Sequence, residues 1–196
     1  MPRLLCYNST MLKLNIIYDY MSIHPELKGK DLTDALIRDC LGREDAVIER
    51  TEKGKPYVSL PDCGGTVAPF ISVSHDGDTF ALLVSGKEAG LDIQYARGIR
   101  TERIAARYFT AEEAEQTSCE DTADRFFELW TRKEAYSKYV GTGLEQIMKK
   151  EQVLDRDDVI FTDIRLEDGC FCAVCTGREE GDQSDEIQIS YGKQDR

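Results

Sequence analysis

The sequence predicts an α+β protein. Strand-sized runs of apolar and β-branched residues recur along its 196 residues, and two longer stretches carry helical periodicity between them. The order of these segments is strand and helix, then several strands, and then that pattern again. Two related halves meeting near residue 88 account for this order, one spanning residues 1–88 and the other 89–196.

Residues 13–20 alternate and are rich in Ile and Tyr, which predicts a strand. Residues 31–41 follow as a helix with Leu32, Ala35, Leu36 and Cys40 as its apolar stripe, closed by Gly42. A short strand is expected over 49–51, then the turn Gly54-Lys55-Pro56 and strand residues Tyr57-Val58. Strands over 70–74 and 80–85 flank the turn His75-Asp76-Gly77-Asp78, and 90–94 forms a further strand. Residues 101–108 read as a helix, and Thr110-x-x-Glu113 is a capping box that opens another. The longest helix covers 122–140, with Phe126, Phe127, Leu129, Trp130, Tyr136 and Tyr139 at helical spacing. Gly141-Thr142-Gly143 ends it. Strands are expected over 152–154, 159–166, 171–175 and 187–191, with residues 178–185 a polar, acidic loop.

The net charge of -12 opposes nucleic acid as the main partner, because a phosphate backbone requires a basic face. An acidic protein partner is expected to dock only on a local basic patch. The longest apolar runs, such as residues 80–84, are too short to cross a bilayer. Only Leu4-Leu5-Cys6-Tyr7 separates Arg3 from Asn8, too short an apolar core for a signal peptide. Seven cysteines without a framework predict free thiols in a reducing cytoplasm. Cys170, Cys172 and Cys175 lack a nearby histidine to complete a zinc set, so burial in an apolar strand is expected for them.

Three segments concentrate polar residues against apolar elements. In Gly90-Leu91-Asp92-Ile93-Gln94, Asp92 and Gln94 share one strand face, an acid and an amide suited to Mg²⁺, or else the wet face of an edge strand. In the segment 130–138, Glu134 and Lys138 lie one helical turn apart on the stripe of Trp130. That geometry suits a carboxylate on a metal and an ammonium on a phosphate; it equally suits an exposed ion pair worth about 0.3–0.5 kcal/mol. In Ser72-Val73-Ser74-His75, a histidine at a strand end can bind an anion or act as a base, or serve structure alone.

Taken in order, Gly54-Lys55-Pro56, Ser74-His75, Gly-x-Asp at 90–92, Trp-x-x-Lys-Glu-Ala-x-x-x-Lys at 130–138 and Gly-Thr-Gly-Leu at 141–144 resemble the 4'-phosphopantetheinyl transferases. The order and spacing are similar to the monomeric, surfactin-synthetase-type branch. The resemblance covers residues 55–144, and its most specific part is the block 130–144. It implies a pseudo-dimer of two similar α+β halves with the active site in the cleft between them. It also implies transfer of phosphopantetheine from coenzyme A to a serine of an apo acyl or peptidyl carrier protein, releasing 3',5'-ADP, as a holo-carrier-protein synthase does.

The resemblance implies roles for individual residues. Asp92, Gln94 and Glu134 would hold Mg²⁺, Glu134 would be the base for the serine hydroxyl, and Lys138 would contact the pyrophosphate. Lys55, Ser74 and His75 would contact the phosphates of coenzyme A. Arg38 is placed near the 3'-phosphate on position alone, with an exposed helix arginine as the alternative. The family pattern often reads Gly-x-Asp-x-Glu, so Gln94 is a departure that removes one charge. A catalytically silent relative that only binds coenzyme A or a carrier is the alternative reading, with a plain acidic interaction module a third. A monomer in the cytoplasm, without membrane or nucleic-acid partners, completes the expectation.

Overall fold

The structure is a computed structural model and describes residues 11–61, 68–98, 100–117, 123–178 and 186–192. The N-terminal residues 1–10, the expected first helical residue 122, and 179–185 of the expected acidic loop lie outside the described residues. Strand β1 (Leu12–Tyr18) sends Leu12, Leu14 and Ile16 to one apolar cluster and Ile17 to another, as a period of two requires. It stops two residues before the predicted end, because Asp19 turns left-handed at φ 50 and a single helical turn follows. Helix α1 (Gly29–Leu41) ends at Gly42, whose φ of 60 lets its N–H reach the carbonyls of Arg38 and Asp39. Ile37 and Leu41, rather than Ala35 and Cys40, complete its fully buried stripe with Leu32 and Leu36.

Strands β2 (Val47–Arg50) and β3 (Pro56–Ser59) form a separate antiparallel pair. Strands β4 (Phe70–Asp76) and β5 (Thr79–Ser85) make a hairpin whose strands are longer than predicted: His75 and Asp76 pair with Phe80 and Thr79 instead of lying in the turn. All seven residues of β5 are buried, which places it inside the protein rather than on one wet face. Strand β6 (Ala89–Gln94) is followed by helices α2 (Thr101–Tyr108), α3 (Ala111–Glu115), α4 (Ala123–Val140) and α5 (Leu144–Met148). The Thr110–Glu113 capping box opens α3 as expected. Helix α5 has no counterpart in the sequence reading; it is short and begins after Gly143, while Gly141, at φ 76, ends the preceding helix.

Strands β7 (Val159–Arg165), β8 (Phe171–Gly177) and β9 (Ile187–Tyr191) close the chain. Residues 152–154 do not form the predicted strand. Val153 is buried, but its N–H bonds Glu113 Oε1 at 2.8 Å, so a side chain stands where a neighbouring strand would be.

One sheet has the order β4-β5-β1-β9 and the other β6-β8-β7. The inner faces of the two sheets meet in one cluster, where Leu14, Ile16, Ala81 and Leu83 pack on Leu91, Ile93, Cys172 and Val174. Helix α1 covers the outer face of the first sheet, and α4 covers that of the second. The layers therefore run helix, sheet, sheet, helix. Burying each large aliphatic or aromatic side chain among them contributes about 1.5–3 kcal/mol. Strand β9 pairs parallel with β1, so a strand from the second half of the chain completes the sheet of the first. Cys172 and Cys175 sit in different clusters on opposite faces of β8, which supports the buried-strand reading of the cysteines. Among the described residues, no helix is long and apolar enough to cross a membrane.

Candidate active site

Strand β6 pairs with β8 along one edge, and β4 lies along the other. Along that seam the side chains of β4 take the place of main-chain carbonyls. Leu91 N–H donates to Ser72 Oγ at 2.9 Å, Ile93 N–H to Ser74 Oγ at 3.3 Å and Tyr95 N–H to Asp76 Oδ2 at 2.7 Å. Alternate residues of one strand thus satisfy alternate donors of the next, and the two sheets are joined edge to edge by hydroxyls and a carboxylate. Ser74 Oγ then donates to Asp92 Oδ1 at 2.7 Å, which ties the serine of β4 to the acid of β6.

Helix α4 crosses β6 at Gly90. A Cβ at this position would stand 1.9 Å from the carbonyl oxygen of Ala135 and 2.5 Å from the nitrogen of Tyr139. Only glycine permits that approach. It brings Lys138 Nζ to 2.8 Å from Asp92 Oδ1. Asp92 Oδ2 is buried with no hydrogen-bond partner among the described residues. Glu134, one turn before Lys138, has its carboxyl pushed up to about 7 from 4.5, first by burial and then by the charge of Asp92; Lys138 opposes the rise.

The donor set fits a hard divalent cation. A buried carboxylate oxygen without a partner costs about 1–3 kcal/mol or more. Two acids share one ammonium, so the charge between them is incompletely balanced. Magnesium accepts one or two carboxylates and completes its shell with water and substrate phosphate oxygens. Among the described residues no three His, Cys, Asp or Glu side chains converge, so Asp92 and Glu134 stand as a pair.

Glu134 and Lys138 open on a cavity of about 250 Å³ that Lys55, Ser72, Val73 and Ser137 also line, among others; Asp92 lies behind them, bonded to Lys138. A larger cavity of about 820 Å³ shares Gly54, Pro56 and Val73 with it, and Tyr20, Lys28, Lys30, Arg50 and His75 also line it. Lys55 forms an ion pair with Glu88. His75 is exposed, and its ring lies 6.0 Å from that of Tyr20. Arg38 lines neither cavity; its Nε donates to the Ala46 carbonyl at 2.9 Å and holds the turn after α1. Gln94 donates Nε2 to Asp76 Oδ2 at 2.9 Å. Lys133 turns away from Glu134 into the core, 2.7 Å from Glu113 Oε2 and 2.5 Å from the Glu151 carbonyl.

Sequence reasoning overlooked Lys28, Lys30 and Arg50. The two lysines flank Gly29, whose φ is 53, at the start of α1, a basic entry to a helix that could have been noticed. Arg50 reads as an ordinary strand residue. Its Nη2 donates to Asp34 Oδ1 at 2.6 Å, and its Nη1 is buried with no partner among the described residues.

The family model described as the 4'-phosphopantetheinyl transferase superfamily matches residues 88–187. The chain belongs to this superfamily. A "4'-phosphopantetheinyl transferase" of Bacillus subtilis is 32% identical over 177 residues, covering 86% of this chain and 75% of that protein. A "Phosphopantetheinyl transferase" of Thraustochytrium is 32% identical over 139 residues, 62% of this chain and 47% of its own. The "4'-phosphopantetheinyl transferase Sfp" of Bacillus subtilis strain 168 is 30% identical over 123 residues, 58% of this chain and 52% of its own. The chain thus spans about half the length of the last two. The similarity to Sfp agrees with the surfactin-synthetase-type resemblance carried by residues 55–144.

Proposed function

We propose that this chain transfers the 4'-phosphopantetheine arm of coenzyme A to a serine of an apo-carrier protein and releases 3',5'-ADP. The observation that carries the reading is the acid pair, buried Asp92 with an unpartnered oxygen and half-buried Glu134 with its carboxyl pushed up to about 7, beside the ammonium of Lys138. Phosphoryl transfer needs charge neutralisation and in-line positioning more than covalent help. Bound magnesium, held by Asp92, Glu134 and the amide oxygen of Gln94, would supply positive charge to the pyrophosphate oxygens.

The chain's own residues divide the remaining work. Glu134, with a carboxyl near pH 7, is matched to accept the proton of the carrier serine hydroxyl. Lys138 balances Asp92 in the free protein and is within reach of a pyrophosphate entering the smaller cavity, where it acts as a point charge. Lys55 lines the smaller cavity and His75 the larger, where they would contact phosphates of coenzyme A, while Ser74 orients Asp92. Lys28, Lys30 and Arg50 give the larger cavity a basic wall suited to the 3'-phosphate; this replaces Arg38, whose Nε is engaged elsewhere.

The helix–sheet–sheet–helix layering and the seam between β4 and β6 support a pseudo-dimer of halves 1–88 and 89–196 with the site in the cleft between them. Because both sides come from one chain, the protein would act as a monomer, in the cytoplasm where coenzyme A and carriers meet. Arg97, Arg100, Arg103 and Arg107 are exposed along and just before α2 in an otherwise acidic chain, a basic face suited to an acidic carrier. The test is to incubate the protein with coenzyme A, Mg²⁺ and a panel of apo-carriers and weigh the carriers by mass spectrometry. At least one should gain the phosphopantetheine mass, and only with a divalent metal. If none does at any magnesium concentration, the silent-binder reading replaces this one.

A further inference from the structure

Asp76, the last residue of β4, gathers three donors. Tyr95 N–H reaches its Oδ2 at 2.7 Å, Gln94 Nε2 reaches the same oxygen at 2.9 Å, and the guanidinium of Arg97 pairs with Oδ1. A carboxylate accepts hydrogen bonds and does not donate them. Gln94 must therefore present its NH₂ to Asp76, which sends its carbonyl oxygen away from that acid. As alternate residues of β6, Gln94 and Asp92 share one face of the strand, and Asp92 on that face meets Lys138 of α4. A carboxylate at 94 in the same position would stand about 3 Å from Asp76, a like-charge contact. The acid on β4 and the amide on β6 are thus a matched pair.

We propose that Asp76 is a positioning residue: by holding the NH₂ of Gln94 it directs the Gln94 carbonyl oxygen toward the Asp92–Glu134 pair as a neutral ligand for a divalent cation. This rests on the reading of that pair as a divalent-cation site. Asp76 is itself fixed by the main chain of Tyr95 and by Arg97, so the amide is held by a group that cannot turn with it. Ser74 holds Asp92 from the same strand, two residues earlier. One edge of β4 would then orient two ligands on β6 at once.

The experiment is a titration with Mn²⁺ alone, free Mn²⁺ being read by electron paramagnetic resonance, with thermal melting as a check on folding. Asp76→Asn can offer Gln94 either its oxygen or its NH₂, so the amide loses its preferred direction and Mn²⁺ binding should weaken about tenfold. Gln94→Met removes the carbonyl and should weaken binding by a similar factor. Combining the two should add nothing further, because both remove one ligand. Asp76→Asn with Gln94→Glu should restore or exceed the parent affinity, since the Asn NH₂ can donate to the new carboxylate. The proposal is overturned if folded Asp76→Asn binds Mn²⁺ as the parent does, or if its loss multiplies with that of Gln94→Met. Should Asp76→Asn not fold, Gln94→Glu alone decides. Severalfold tighter binding with Asp76 in place overturns the proposal, and unchanged or weaker binding alongside a weakened Gln94→Met supports it. Asp92→Asn distinguishes the two levels: if the parent binds no Mn²⁺, or Asp92→Asn binds it unchanged, the cation reading of the acid pair fails and this inference with it.

Discussion

Lys138 Nζ lies 2.8 Å from Asp92 Oδ1, while Oδ2 of the same carboxylate is buried without a partner among the described residues. One oxygen is satisfied twice, by Lys138 and by Ser74, and the other not at all. Such asymmetry is expected of an acid whose second oxygen is kept for a ligand rather than for the fold. Glu134 beside it carries the electrostatic consequence, a carboxyl held near neutrality.

Glu134→Gln should lower turnover by about 10²–10⁴-fold while leaving the circular dichroism spectrum unchanged, because the amide cannot take the serine proton. Lys55→Ala and His75→Ala should chiefly raise KM for coenzyme A, since phosphate contacts form in the ground state as well. Steady-state kinetics on a modified carrier separates these outcomes. Near-normal turnover in Glu134→Gln would refute its role as base.

The same group makes stability depend on pH. Burial raises the Glu134 carboxyl from 4.5 to about 7, so the folded state holds a proton that the unfolded chain has released. The stabilisation from protonated Glu134 is complete below about 4.5 and is lost as pH rises through about 7. In metal-free buffer the parent's melting temperature should therefore fall across this window relative to Glu134→Gln. Added Mg²⁺ should reduce the difference. Parallel melting curves for the two proteins would show that Glu134 is not perturbed.

Gly90→Ala should destabilise the protein by about 1–3 kcal/mol or more, because its Cβ would meet main-chain atoms of α4, which cannot rotate aside. Displacing α4 also separates Lys138 from Asp92, so activity should fall in parallel. Urea unfolding measures the first effect and the transfer assay the second. A stable, active Gly90→Ala would mean that the helix does not need to lie so close.

Arg103→Glu combined with Arg107→Glu should raise KM for an acidic carrier by about an order of magnitude at low salt. KM for coenzyme A should stay as in the parent, because these exposed side chains line neither cavity. The salt dependence of carrier KM should flatten in the variant. An unchanged carrier KM would move the docking face elsewhere.

Much of the fold was legible because it depends on neighbours in the chain. Alternation near residues 12–18 and helical spacing in 123–140 report which face of an element is buried, and the unbroken apolar run at 171–175 reports a strand buried on both faces. Thr110 and Glu113 announce a helix start because the cap closes within one turn. The same spacing put Asp92 with Gln94 and Glu134 with Lys138. The strand expected at 152–154 failed for the opposite reason: Val153 is apolar and buried, but its N–H is satisfied by Glu113, 40 residues earlier.

The information carried along the chain is therefore local: the elements, most of their ends, and the ordered motifs at 54–56, 74–75, 90–92 and 130–144 that mark the family. Long-range packing sets the rest: β9 returns to pair with β1, the serines of β4 satisfy the edge of β6, and Lys133 turns to a buried Glu113 while Lys138 turns to Asp92. It alone tied the Gln94 amide to Asp76 and brought Lys28, Lys30 and Arg50 around one cavity. The physical reason is that a periodic pattern tells which face a residue occupies but not what stands opposite. A buried charge or an open strand edge takes its partner from wherever packing brings one, as Lys138 finds Asp92 across 46 residues of chain.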